Sequence, residues 1–334
     1  MENLDASRAL ALLSGAAATR VLVLGDVMVD RYLTGSVERI SPEAPVPVLR
    51  VEEERSAPGG AANVAAGVAA LGAACDLVAV VGRDEGAEEL EAHLAGWSGI
   101  RPALVRDAGR PTTLKTRVLA RHQQMLRVDR ESGAQLADPV REEVLSAVRE
   151  RLPDADVLAL VDYDKGVLGE TWVGPLIEEA ERAGVPAIVD PKLRNFFSFR
   201  GAFLFKPNGR ELAAAGGNER PALGASELAA VRERLGCRNL LVTLGEEGMV
   251  LLAQGEEAVR SIPSRAREVY DVSGAGDTVT AVLAATLGAG AAVSEAARLA
   301  NFAAGIEVSH LGAVPVSRDE LRAEVEAEER GAGL

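Results

Sequence analysis

The sequence predicts an α/β fold: a doubly wound, mostly parallel sheet flanked by helices, with a small β lid inserted in it. Three observations predict this. Past residue 138, apolar runs of strand length alternate with helix-length stretches, and each run ends in Gly or polar residues. Between residues 31 and 54 the alternation stops, and short extended stretches broken by Pro42, Pro45 and Pro47 take over. Near the C-terminus, Asp271-Val272-Ser273-Gly274-Ala275-Gly276-Asp277-Thr278 runs directly into an apolar, small-residue helix from Val279 to Gly290. With no linker and no internal repeat, residues 1–334 read as one domain, with 31–54 and roughly 112–129 as its lid.

In chain order, residues 4–19 read as a short amphipathic helix before a first strand at Val21–Leu24. Asp30 closes the stretch after that strand, where open α/β sheets gather their ligands. Pro58-Gly59-Gly60-Ala61-Ala62-Asn63 opens an alanine-rich helix from Val64 to Gly72. Its glycine pair suits a hinge or a close backbone approach, and Asn63 offers both a donor and an acceptor. Leu77–Val81 is a second strand. Thr112–Val118 and Gln123–Asp129 are strand-like runs around a polar turn, and period-two alternation places Lys115, Arg117 and Arg121 on one face. Beyond a helix at 138–151, strands at Val157–Val161, Pro186–Val189, Phe203–Lys206 and Leu240–Val242 follow. They exit into Asp162-Tyr163-Asp164-Lys165-Gly166, Asp190-Pro191-Lys192, Pro207-Asn208-Gly209-Arg210-Glu211 and Thr243-Leu244-Gly245-Glu246-Glu247-Gly248. Four polar exits in succession point to a single active-site edge. Helices near 292–306 and 317–330 complete the chain, the last one acidic and solvated.

Composition narrows the function. Hydrophobic residues make up 48% of 334, enough for a sizeable core. The apolar runs are far shorter than a membrane span, and the N-terminus lacks the pattern of a signal peptide. Net charge −14 and 3% aromatic residues argue against nucleic-acid binding. Cys75 and Cys237, in helix or helix-end contexts without metal spacing, suit a reduced cytoplasm. Only four of the 36 basic residues are lysines, namely Lys115, Lys165, Lys192 and Lys206, and all lie in or beside the motif stretches. A lysine is a compact point charge that arginine does not replace at a tight anion site.

The glycine-rich stretch carries the chemistry. Gly274 and Gly276 let the backbone fold tightly with N–H groups aimed outward, and the following helix adds its positive end. Asp277 at its lip either caps the helix or acts as a base toward a hydroxyl while the backbone holds a phosphoryl group.

DVSGAGDT followed by this helix resembles the C-terminal signature of the ribokinase-like (PfkB) carbohydrate kinases. With GDVMVDRY, ERISPEAPVPV, PGGAANVA, TTLKTRV, QQMLRVD, DYDKGVL, VDPK and KPNGRE, the resemblance covers nearly the whole chain. It is nearest to the subfamily acting on D-glycero-β-D-manno-heptose 7-phosphate. The resemblance implies ATP and Mg²⁺, with a monovalent cation as an open requirement, transfer to the anomeric hydroxyl, and a homodimer paired through the lid. It implies Asp277 as base and Gly274, Ala275 and Gly276 as an anion hole. Asp30, Gly60 and Asn63 would hold the sugar. Lys192, Thr243, Gly245, Gly248 and Asn301 would face the nucleotide. Asn208 and Glu211 would organise Mg²⁺ through water or phosphate. Lys115 and Arg117, with Lys165 and Arg121 weaker candidates, are the cations available for the acceptor's phosphate. Asp164 departs from the DYGKG or DYAKG pattern, leaving that loop's role open. No nucleotidylyltransferase motif follows the kinase, so the kinase is expected to act alone. The rivals are a kinase of an unphosphorylated sugar or nucleoside and a non-catalytic sugar-binding regulator.

Overall fold

The structure is a computed structural model describing residues 4–121, 123–266 and 269–332. Its strands are β1 (Arg20–Gly25), β2 (Val27–Ile40), β3 (Pro47–Gly60), β4 (Ala74–Val81), β5 (Ile100–Arg106), β6 (Thr113–Ala120), β7 (Gln123–Arg130), β8 (Val157–Val161), β9 (Ala187–Asp190), β10 (Leu204–Phe205), β11 (Asn239–Thr243), β12 (Met249–Leu252) and β13 (Arg260–Ile262). Its helices are α1 (Ala6–Ala16), α2 (Ala61–Ala70), α3 (Glu85–Ala95), α4 (Asp138–Arg151), α5 (Glu170–Arg182), α6 (Gly209–Ala215), α7 (Ala225–Leu235), α8 (Ala275–Gly288), α9 (Val293–Glu307) and α10 (Arg318–Ala332).

Nine strands form the main sheet in the order β13-β12-β11-β10-β9-β8-β1-β4-β5. From β11 to β5 all pairings are parallel; β12 and β13 add an antiparallel edge. The β1 strand is apolar on both faces, as a buried parallel strand must be. Val21 and Val23 join the core under α1, α2, α8 and α9, while Leu22 and Leu24 join the core under α4, α5 and α7. The doubly wound sheet between helices is thus as expected.

Winding sets the position of the site. From β1 the chain builds outward through β4 and β5, then returns to place β8 on the other side of β1. The β1–β8 seam is therefore the topological switch point, where the carboxyl ends of the strands leave a crevice. Asp26 follows β1 and Asp162-Tyr163 follows β8, so both lie at that seam.

A second sheet, in the order β3-β2-β6-β7, stands off the same edge. Here several expectations need correction. Residues 31–54 are not short strands broken by prolines but the middle of a hairpin of two 14-residue strands. Pro42 and Pro45 fall in its connection, and Pro47 starts β3, where no ladder donor is lost. The first strand ends at Gly25, so Asp30 lies within β2. Arg121 is beyond β6, exposed and at positive φ, and does not share the Lys115–Arg117 face. His122, in the polar turn, lies outside the described residues. Cys75 sits in β4 rather than a helix context, because the Ala-rich text around it hid a buried strand. The acidic C-terminal helix is not wholly solvated: Leu321 and Val325 of α10 are buried.

Candidate active site

Asp271 begins the construction of the site. Its carboxylate accepts from the N–H of Ser273 at 2.9 Å and of Gly312 at 3.1 Å, which fixes the turn before α8. Gly274 caps that helix at φ +94°, and a Cβ there would press against Ala313, the Glu307 carboxyl and the Asn63 amide. Only glycine fits. Gly276, by contrast, faces open space on the first turn. A 14-residue helix thus presents its positive end to open space.

Asp277 lies on that first turn, only 4% exposed. One carboxylate oxygen accepts from Asn63 Nδ2 at 2.9 Å and the other from the Tyr163 hydroxyl at 2.7 Å. Burial pushes its pKa up to about 6, with the two hydrogen bonds offsetting part of the rise; Asp190 raises it further and Lys206 lowers it. Such a carboxylate is ionised at neutral pH yet more basic than usual, the condition a general base needs.

The Asp162–Gly166 loop is held by a buried acid that sequence reasoning passed over. Asp26, 1% exposed, accepts from the N–H of Tyr163 at 2.8 Å, of Lys165 at 3.0 Å and of Val167 at 3.1 Å. Burial nevertheless leaves its pKa raised. Arg110 clamps the loop from outside, donating to the Lys165 carbonyl at 2.9 Å and the Ala134 carbonyl at 2.6 Å. Asp164 has a positive φ of 58° and accepts from the Arg194 N–H at 3.2 Å. That is a conformation Gly or Asp tolerates better than most residues.

All four lysines converge here. The Lys115 ammonium lies 5.5 Å and that of Lys192 4.9 Å from the Tyr163 ring centroid. Lys192 also pairs with Glu211 at 2.5 Å; burial opposes its charge, but Asp190 and Glu211 outweigh that and leave its pKa raised. Lys206 is buried against Asp190 at 3.0 Å, and Thr280 of α8 donates to the same carboxylate at 2.9 Å. Lys165 pairs with Glu131 at 2.8 Å and repels Lys115. Burial lowers the pKa of Lys115, which forms no ion pair among the described residues.

On the smaller sheet, Asp30 stands opposite Lys115 in the β2–β6 register and receives an ion pair from Arg117. Arg117 also stacks 5.3 Å from the Tyr32 centroid, so its guanidinium is engaged rather than free for a phosphate. Gly60, at φ +60°, caps α2, and a Cβ there would run into the Asp26 carbonyl and reach the Tyr163 ring. Asn63 follows in the first turn of that helix. Asp30, Asn63, Lys115 and Asp277 therefore cluster at one edge, linked through Tyr163 and Arg117, with Gly60 at the head of the helix that carries Asn63.

Further along the sheet edge, Asn208 and Glu211 form a reciprocal capping box at the start of α6, with bonds of 2.9 and 2.8 Å. The remaining Glu211 oxygen faces Lys192. Among the described residues no cluster of three or more acidic, His or Cys side chains makes a metal cage. Thr243 ends β11; Gly245 and Gly248 take positive φ in the turn beyond it. Asn301 donates to the Pro263 carbonyl at 2.8 Å and lines a cleft of about 520 Å³ with Leu4, Ile262, Arg265 and Phe302. Asp277, Asn63 and Tyr163 are not among the residues lining this cleft.

Tyr163, Asp26 and Asp190 are the members of the site not singled out from the sequence, and Lys206 was singled out without a role. The scarcity of lysine pointed at Lys206; nothing local marked Tyr163, Asp26 or Asp190 except their places at strand ends.

A doubly wound sheet with an open helix start beside a buried carboxylate of raised basicity, and a cluster of lysines, suits a phosphotransferase acting on an alcohol. The chain belongs to the pfkB family of carbohydrate kinases, whose family model matches residues 18–319. Among its relatives are the bifunctional proteins HldE of Azorhizobium caulinodans, 47% identical over 92% of this chain, and of Pseudomonas fluorescens, 47% identical over 93%. The chain spans 64% and 65% of the length of those two relatives. Ribokinase of Arabidopsis thaliana, solved with ribose and ATP, shares the fold at TM-score 0.71 and 22% identity, covering 92% of this chain and 99% of its own. Phosphofructokinase-2 of Escherichia coli, solved with substrates and products, superposes at TM-score 0.77 and 21% identity over 93% of this chain and 100% of its own.

Proposed function

We propose that the chain is an ATP-dependent kinase transferring a phosphoryl group to the anomeric hydroxyl of D-glycero-β-D-manno-heptose 7-phosphate. The product is the 1,7-bisphosphate, on the route to the heptose of lipopolysaccharide. The observation that carries the kinase reading is Asp277: a buried carboxylate with raised basicity, beside the open N-terminus of α8. ATP supplies the phosphoryl group and Mg²⁺ neutralises its phosphates; a monovalent cation is a further requirement to be tested. Asp277 takes the proton of the acceptor hydroxyl. The backbone from Gly274 to Gly276 holds the charge that develops on the transferred group. Lys192, Asn208 and Glu211 organise phosphates and Mg²⁺, and Thr243, Gly245, Gly248 and Asn301 line the nucleotide side. Asp30, Gly60 and Asn63 hold the sugar.

The heptose 7-phosphate assignment rests on the resemblance of the β2–β3 and Asp162–Gly166 text to that subfamily. Lys115, a half-buried cation with no ion pair among the described residues, supports it by offering a partner for the phosphate. Arg117 and Lys165 are already paired with Asp30 and Glu131, which favours a second reading, a kinase of an unphosphorylated sugar. An ADP-release screen across sugars and sugar phosphates, with and without potassium, decides between them. Heptose 7-phosphate should give the highest kcat/KM; a preference for a plain sugar would hand the assignment to the second reading.

The smaller sheet acts in this proposal as a lid over the site and as the contact between two copies. Ile40, Val51, Leu126 and Val128 expose apolar surface on it, which pairing of lids in a homodimer would cover.

A further inference from the structure

We propose that Tyr163 is the positioning residue of the base: its hydroxyl holds one oxygen of Asp277 while Asn63 holds the other. This rests on the assignment of Asp277 as the proton acceptor and deepens it. An ionised carboxylate on the first turn of a helix is drawn toward that helix's own N–H groups and positive end. Those are the groups a phosphoryl transfer needs. Two donors from other elements, Asn63 of α2 at 2.9 Å and Tyr163 after β8 at 2.7 Å, counter that pull and fix the carboxylate plane. Each oxygen keeps a second lone pair for the acceptor hydroxyl. Tyr163 is suited to the role because it stays a donor: burial and the neighbouring Asp277 push its own pKa well above the usual phenol value. It is also immobile. Its N–H is anchored on Asp26, and its ring is flanked by the Lys115 and Lys192 ammonium groups.

The test is Tyr163→Phe, assayed with heptose 7-phosphate and MgATP. The ring and its contacts with both lysines persist; only the hydroxyl is lost. We expect kcat to fall about tenfold, with both Michaelis constants within about twofold of wild type. Asp190, Lys206, Lys192 and Glu307 also act on Asp277 and are unchanged by this substitution. Loss of a donor to the charged form should therefore move the acidic limb of the kcat profile to higher pH by about one pH unit. A purely structural role would not move that limb. Replacing the chain's three tyrosines with fluorotyrosine supplies the opposite sign without deleting the group. A more acidic phenol donates more strongly, so the limb should move to lower pH. A Tyr163→Phe enzyme with wild-type kcat and an unmoved limb, or fluorotyrosine protein with an unmoved limb, overturns the positioning role alone. A wild-type enzyme that transfers nothing to heptose 7-phosphate or to any sugar in the screen overturns the kinase assignment beneath it.

Discussion

At the scale of single residues, burial sets the chemistry and neighbours trim it. Asp277 would be an ordinary weak base in water; desolvation raises its pKa to about 6, and Asn63 and Tyr163 keep it from rising further. The sign for catalysis follows directly. The base works only when deprotonated, so kcat/KM should be flat near pH 7–8 and fall about tenfold per pH unit below about pH 6, as a pH–rate profile of the wild type would record. An acidic limb near pH 4 would mean that the titrating group is an exposed carboxylate instead. Lys115 makes the second residue-scale prediction. Desolvation lowers its pKa, and it has no ion pair among the described residues, so a bound phosphate would gain a partly desolvated partner. Lys115→Ala should raise the Michaelis constant for heptose 7-phosphate about ten- to a hundredfold and leave that for ATP nearly unchanged. Steady-state kinetics varying each substrate in turn measures both; a loss confined to ATP would place Lys115 on the nucleotide side.

At the scale of elements, the Asp162–Gly166 loop is a preformed support. Two of its N–H groups, with that of Val167 just beyond, end on Asp26, and Gly166 takes φ +83° where an added Cβ would run into the Ala134 carbonyl. Gly166→Ala adds both strain and a backbone clash, and should cost about 1–3 kcal/mol in denaturant unfolding. Gly184→Ala, at φ +77° with open space around it, is the control and should cost about 1 kcal/mol or less. Elements that bury one continuous apolar run were legible in the sequence: β8 and β11 fall within a residue or two of their expected bounds. Others were not. β5 carries Pro102 and alternates too weakly to read as a strand, and its place is set by pairing with β4. β12 and β13 are short and antiparallel, a departure from the βα rhythm that only their pairing with β11 defines. The hairpin β2–β3 read as fragments because prolines at its turn looked like breaks within strands.

At the scale of the whole molecule, winding brings together residues more than a hundred positions apart. The signature around Gly274–Asp277 was visible from its glycines, and Asn63 from the glycine pair before it. Tyr163 was not, because its partnership with Asp277 depends on β8 returning beside β1. The same winding leaves β3 and β7 as free edges of the smaller sheet, with exposed Val51, Leu126 and Val128 on them. Free apolar edges call for cover. Sedimentation should show a homodimer at micromolar concentration, converted to monomer by Val51→Lys with Leu126→Lys; a wild-type monomer with and without substrate would leave the sheet a lid alone. The central claim, that a buried Asp277 takes the acceptor's proton, is tested most directly by the turnover of Asp277→Asn. The amide keeps the shape and loses the basicity, so phosphoryl transfer should fall by on the order of 10²–10⁴ while calorimetric ATP binding stays within a few-fold of wild type. Turnover within a few-fold of wild type would contradict the account.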